Sequence, residues 1–199
     1  MADDKRGRDK QAHDAAKRRQ ERDIATERER YDEAEPPVDA DVLADIERDL
    51  ASVAFPATGA AVVDAIGERE VPTDAGTYAV EALLPDTDEE TFDSPAAVRV
   101  RIQRPTVAAA MKRIVEATEG LADAELTDTQ RDGYERTFRE LVNIDPIDEN
   151  EGIPVVADWM VERIRENGEL PGSRSVRRRA AEYCRANGYE VRNDEWLGV

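Results

Sequence analysis

A single cysteine, Cys184, and a single histidine, His13, stand in a chain of 199 residues. One cysteine excludes an intrachain disulfide. The apolar neighbours of Cys184 make it a small core residue rather than a nucleophile, as expected in a reducing compartment. One Cys and one His do not make a structural zinc site. His13 lies in a segment almost without apolar residues, so the folded body has no Ser–His or Cys–His pair for nucleophilic catalysis. A glycine-rich phosphate loop is also missing. No apolar run reaches the length of a membrane span, and the charged N-terminus lacks the apolar core of a signal peptide. Aromatic residues make up only 5%, so a core must rest on Val, Ile, Leu and Ala. These absences predict a cytoplasmic, non-enzymatic chain with no cofactor, no metal and no membrane partner.

What the chain has in excess is negative charge. Asp and Glu number 46 against 28 Lys and Arg, a formal net charge of −18. Lysine is scarce too: Lys5, Lys10, Lys17 and Lys112 are the four, and every other basic residue is arginine. At low ionic strength such a surface repels itself and opposes the compact state. At about 1 M salt the Debye length falls to roughly 3 Å and the repulsion is screened. The composition therefore predicts a salt-adapted (halophilic) protein. With so many carboxylates, no one pair can be singled out for acid–base chemistry.

The charge is unevenly spread. Residues 1–37 are nearly all polar, with Ile24 as the main aliphatic, and end at Pro36-Pro37. They predict a tail that is disordered or a solvated helix held by charge pairs. Residues 38–104 predict a small α+β unit. Its first helix carries Leu43, Ile46, Leu50 and Val53, capped by Asp39 or Asp41. A second, opened by Thr58 or Gly59, carries Val62, Val63 and Ile66 and closes at Gly67. Glu68–Val71 and Thr77–Val80 predict a hairpin, followed by a helical turn over 81–84. Ser94-Pro95 is a helix opening, with Ser as cap and Pro at the first helical position. The alternation of Val98, Val100 and Ile102 with Arg99 and Arg101 also suits a strand, but the cap favours the helix. In residues 105–152, a helical connector, Val107, Met111, Ile114, Thr118 and Leu121 mark one face. Thr127 with Gln130 forms a capping box for a helix that turns Tyr134, Phe138 and Leu141 inward. The acidic loop 145–152 resembles a calcium loop but fails its spacing: counted from Asp148, glycine comes at the fifth position and Trp159 at the twelfth. The basic block Arg99, Arg101, Arg104, Lys112 and Arg113 has no acid within it, and pairing with carboxylates elsewhere is its expected role. No internal repeat is visible.

The stretch FPATGAAVVDAIGEREV, then YAVEALLP and ETFDSPAAV, resembles a group of small acidic haloarchaeal proteins that share a domain of unknown function. The similarity covers residues 55 to about 104. The C-terminal run LPGSRSVRRRAAEYCRANGYEVRNDEWLGV is also similar to haloarchaeal, and so archaeal, proteins of this length. The resemblance implies a salt-adapted lineage and supplies no site residues.

The last unit, 153–199, carries the candidate site. Val156, Trp159, Met160 and Ile164 predict a helix ended by Asn167-Gly168. A second, capped by Ser173 or Ser175, ends at Asn187-Gly188. A terminal hairpin turning at Asn193-Asp194 follows. Helix, turn, helix, hairpin is the order of a winged helix-turn-helix, although a turn of roughly seven residues is longer than that motif usually has. At about 100° per residue, Val176, Ala180, Tyr183, Cys184 and Asn187 share one arc of the second helix. Arg178 and Arg185 lie opposite, Arg177 flanks them, Ala181 sits among them, and Arg174 comes just before the helix. Guanidinium groups suit bidentate contacts to guanine and phosphate. The site residues are therefore Arg174, Arg177, Arg178 and Arg185, with Arg192 assisting from the wing. The fold class is mainly α (α+β), with one or two β-hairpins and a winged-helix-like end. The two candidate partners are DNA and another protein that presents an acidic surface. Both tryptophans, Trp159 and Trp196, are expected in the core, and the oligomeric state is open.

Overall fold

A computed structural model describes residues 38–73, 76–121, 126–144 and 151–189, all within one compact unit of the chain. The expected tail 1–37, most of the acidic loop, and the terminal hairpin with Arg192 and Trp196 lie outside the described residues. The described chain is mainly helical, with two small antiparallel sheets.

Helix α1 (Ala40–Asp49) starts where the Asp39 carboxylate accepts a hydrogen bond from the Asp41 amide at 2.7 Å, satisfying one of the helix's free donors. A short 3-10 turn, Leu50–Ser52, follows. Strand β1 (Ala57–Thr58) leads into α2 (Gly59–Ile66), capped by the Thr58 hydroxyl on the Ala61 amide. Strands β2 (Glu70–Thr73) and β3 (Gly76–Ala79) pair antiparallel, Val71 opposite Tyr78. The hairpin is shifted from the expected 68–71 and 77–80. Pro72 lies inside the ladder, which a two-stranded edge tolerates, and Val80 already belongs to α3 (Val80–Leu83).

Strand β4 (Thr91–Phe92) pairs with β1, Ala57 opposite Phe92. Two residues on each strand leave no alternation to read, so this pairing has no sequence signal. Helix α4 (Pro95–Ile102) begins at Ser94, whose hydroxyl accepts from the Ala97 amide. The helical reading of 95–102 holds. Val98 and Ile102 are buried while Val100 is 59% exposed, where a strand would have put all three on one face.

Helix α5 (Pro105–Ala117) serves two cores. Ala108 joins Leu43, Ile46, Val62, Leu83, Phe92, Val98 and others in the first. Val107, Ala110, Met111 and Ile114 join the second. That second core is closed by α6 (Asp128–Ile144), α7 (Gly152–Asn167) and α8 (Ser173–Ala186), through Phe138, Leu141, Met160, Ile164, Val176, Ala180 and Cys184. The capping box at the head of α6 is present: the Thr127 hydroxyl accepts from the Gln130 amide, and the Thr127 amide donates to Gln130 Oε1. Gly168 ends α7 at φ +70°, a left-handed conformation that glycine adopts without cost. The expected serine cap of α8 is absent. Gly172 holds the cap position with no side-chain hydrogen bond, because Ser173 is already helical.

Candidate functional site

Helix α8 is held from two sides, by α6 and α7. The turn between α7 and α8 is 168–172, shorter than the sequence suggested, since Ser173 and Arg174 have joined the helix. At its head, α6 comes unusually close. A Cβ on Gly133 would stand 2.7 Å from Ser173 Oγ and 3.0 Å from its Cβ, so only glycine lets the helices approach this far. The neighbouring Tyr134 is fully buried and donates its hydroxyl to the Pro171 carbonyl. Burial raises the Tyr134 pKa to about 12.

This packing sorts the predicted arginines. Val176, Ala180, Ala181 and Cys184 are buried. Ala181 thus belongs to the packed side, whereas the sequence reading set it among the exposed arginines. Arg177 stands at the edge of the buried arc, half-buried, with its Nε inside. Arg174, Arg178 and Arg185 are exposed on one stripe. The Arg178 side chain is 73% exposed. The stripe is not uniformly basic, because Glu182 lies between Arg178 and Arg185, 4.0 Å from Arg178 and 3.9 Å from Arg179. Arg192 is outside the described residues.

Beside the head of α8 lies a cleft of about 230 Å³, lined by Trp159, Arg163, Asn167, Leu170, Pro171 and Ser175 among others. The Arg163 guanidinium sits 5.7 Å from the centre of the Trp159 ring, a cation–π contact. Trp159 is packed against the second core but only partly buried.

Four residues of the middle basic block, Arg99, Arg101, Lys112 and Arg113, meet carboxylates. Arg99 meets Glu47 at 3.6 Å, Lys112 meets Glu116, and Arg113 meets Asp158. Arg101 enters a cluster that sequence reasoning missed. It contacts Glu90 at 3.3 Å and also Glu135, while Arg131 contacts the same Glu90 oxygen at 2.8 Å. Burial, and then the neighbouring charge of Arg101, lower the Arg131 pKa. Glu90 ends an acidic run, 86–90, with nothing in the sequence to mark it off from the rest. Among the described residues, no group of three or more His, Cys, Asp and Glu is placed to hold a metal, and no helix is long and apolar enough to cross a membrane.

Residues 41–114 match DUF5789, a family of unknown function. The DUF5789 segment runs from α1 through most of α5 and contains the stretch that suggested a domain of unknown function. It carries Glu90 and Arg101, and it stops before α6, α7 and the arginine stripe of α8. No curated protein and no solved structure matches the chain.

Proposed function

We propose that this is a non-enzymatic binding protein that engages DNA through α8, used as the recognition helix of a winged-helix-like unit. The observation that supports this reading is the exposed stripe Arg174, Arg178 and Arg185 on a helix whose opposite side is packed into a core. From Arg174 to Arg185 the helix rises about 16 Å, a length suited to lying along a major groove. Arg177 flanks the stripe, and Arg192 contributes from the wing. The high negative charge elsewhere disfavours loose association with phosphate. Molar salt weakens phosphate contacts for any protein, so a salt-adapted binder draws more on base contacts. The chain works in such a cytoplasm.

Glu182 favours a second reading. A carboxylate within the stripe repels phosphate, and a stripe of both signs suits an adaptor that docks an acidic protein surface whose carboxylates meet the arginines and which carries a basic group to meet Glu182. Capture of partners by the purified protein in molar KCl, with and without nuclease, separates the two. The DNA reading expects nucleic acid to be recovered and to be lost in the Arg178→Glu/Arg185→Glu variant. A protein partner that survives nuclease, with no nucleic acid recovered, would replace that reading with the adaptor.

A further inference from the structure

The Glu90 cluster has a pattern beyond simple pairing. The DUF5789 segment supplies one acid and one base, Glu90 and Arg101, and α6 supplies one of each, Arg131 and Glu135. The pairs cross: Arg101 reaches Glu135, and Arg131 reaches Glu90. The Glu90 side chain is 6% exposed and that of Arg131 is 13% exposed, so the exchange is largely shielded from solvent. Glu90 Oε2, Arg101 Nε and Arg131 Nη1 are buried without a hydrogen-bond partner among the described residues. Buried charges cost free energy to desolvate, and incomplete pairing leaves part of that cost standing. Such a cluster stabilises little, but it penalises any other seating of the helix, because a shift would strand buried charges.

Two other residues of the same α6 turns face a different neighbour. Arg131 and Glu135, four apart, lie on one side of the helix, while Gly133 and Tyr134 lie on another. Gly133 abuts Ser173, and Tyr134 holds the Pro171 carbonyl. The same short stretch thus grips the DUF5789 segment with one side and the head of α8 with the other.

We propose that Glu90, Arg101, Arg131 and Glu135 form a latch that seats the first turns of α6. Through Gly133 and Tyr134, that seat sets the position of the α7–α8 turn and of the first turn of α8, where Arg174 stands. The DUF5789 segment thereby controls the geometry of the arginine stripe without touching its ligand. The latch goes beyond the DNA reading and holds whatever α8 binds.

Hydrogen–deuterium exchange on the full chain tests it, with no ligand present. The variants are Glu135→Gln, mild because Glu135 is partly exposed, and Arg131→Met. Amides over residues 168–176 are expected to exchange roughly tenfold faster in Glu135→Gln, while those of α1 stay at the wild-type rate. Should Arg131→Met fail to fold, acrylamide quenching of Trp159 in a Trp196→Phe background reads the same seat in Glu135→Gln, as faster quenching. A rise spread evenly over the chain, or no rise at 168–176, would each overturn the latch.

Discussion

The Tyr134 hydroxyl donates its hydrogen bond to the carbonyl oxygen of Pro171, tying the middle of the connector helix α6 to the turn that precedes α8. Burial holds the phenol neutral and raises its pKa from 10.0 to about 12. The unfolded chain therefore loses this proton at lower pH than the folded one. The stabilisation is complete below pH 10 and falls as pH rises toward 12, by about 2–3 kcal/mol. Denaturant titrations across that range check this by comparing the wild type with Tyr134→Phe, which has no phenol to titrate. The two stability curves are expected to converge by that amount as the pH rises. Parallel curves would show that Tyr134 titrates as an exposed tyrosine does.

Gly133 makes a second expectation sharp. Alanine is the better helix former by about 1 kcal/mol, so Gly133→Ala on an open face would stabilise. Here the new Cβ meets Ser173 at 2.7–3.0 Å, and the variant is expected to lose about 1–3 kcal/mol. In a Ser173→Gly background the obstacle is gone, and Gly133→Ala is expected to be neutral or stabilising. A thermal-melt double-mutant cycle measures the change of sign.

The ion pairs divide by burial. Arg131→Met leaves the buried Glu90 with Arg101 as its remaining partner and is expected to cost about 1.5–3 kcal/mol, with little dependence on salt because buried charges are poorly screened. The Arg113–Asp158 pair, with side chains 46% and 63% exposed, is expected to contribute less than about 1 kcal/mol. Urea titrations of Arg131→Met and Asp158→Asn at low and at molar KCl compare the two.

The second core gives a stability control for every binding test. Ile164 is fully buried, and Ile164→Ala is expected to cost about 2–5 kcal/mol. Val100 is exposed, and Val100→Thr is expected to stay within about 0.5 kcal/mol of wild type. Thermal melts of the two variants rank them.

Local signals in the sequence were legible wherever one side chain did one job. The caps at Asp39 and Thr58, each one of two residues the pattern left open, the cap at Ser94, the box at Thr127 and Gln130, and the glycine stop at Gly168 all act within four residues. Ser173 was misread because glycine at 172 takes the cap position without a side chain. Long-range relationships left no mark. The β1–β4 pairing joins two dipeptides, and the Glu90–Arg131 contact joins one acid among many to one arginine among many. The arginine stripe was half legible. The helical wheel separated Arg178 and Arg185 from the apolar arc, but it could not show that packing by both α6 and α7 widens that arc to take in Ala181. Glu182, four residues after Arg178, was legible on the same wheel and was passed over.

On the proposed reading, the exposed arginines of α8 read DNA. Selection from a random duplex library in molar KCl, followed by anisotropy titration of the enriched duplex, tests it most directly. The DNA reading predicts enrichment of a definite sequence. It also predicts at least about tenfold weaker binding by Arg178→Glu/Arg185→Glu, with an unchanged thermal melt. A library that yields no enriched sequence, or a double variant that binds as tightly as wild type, would contradict it.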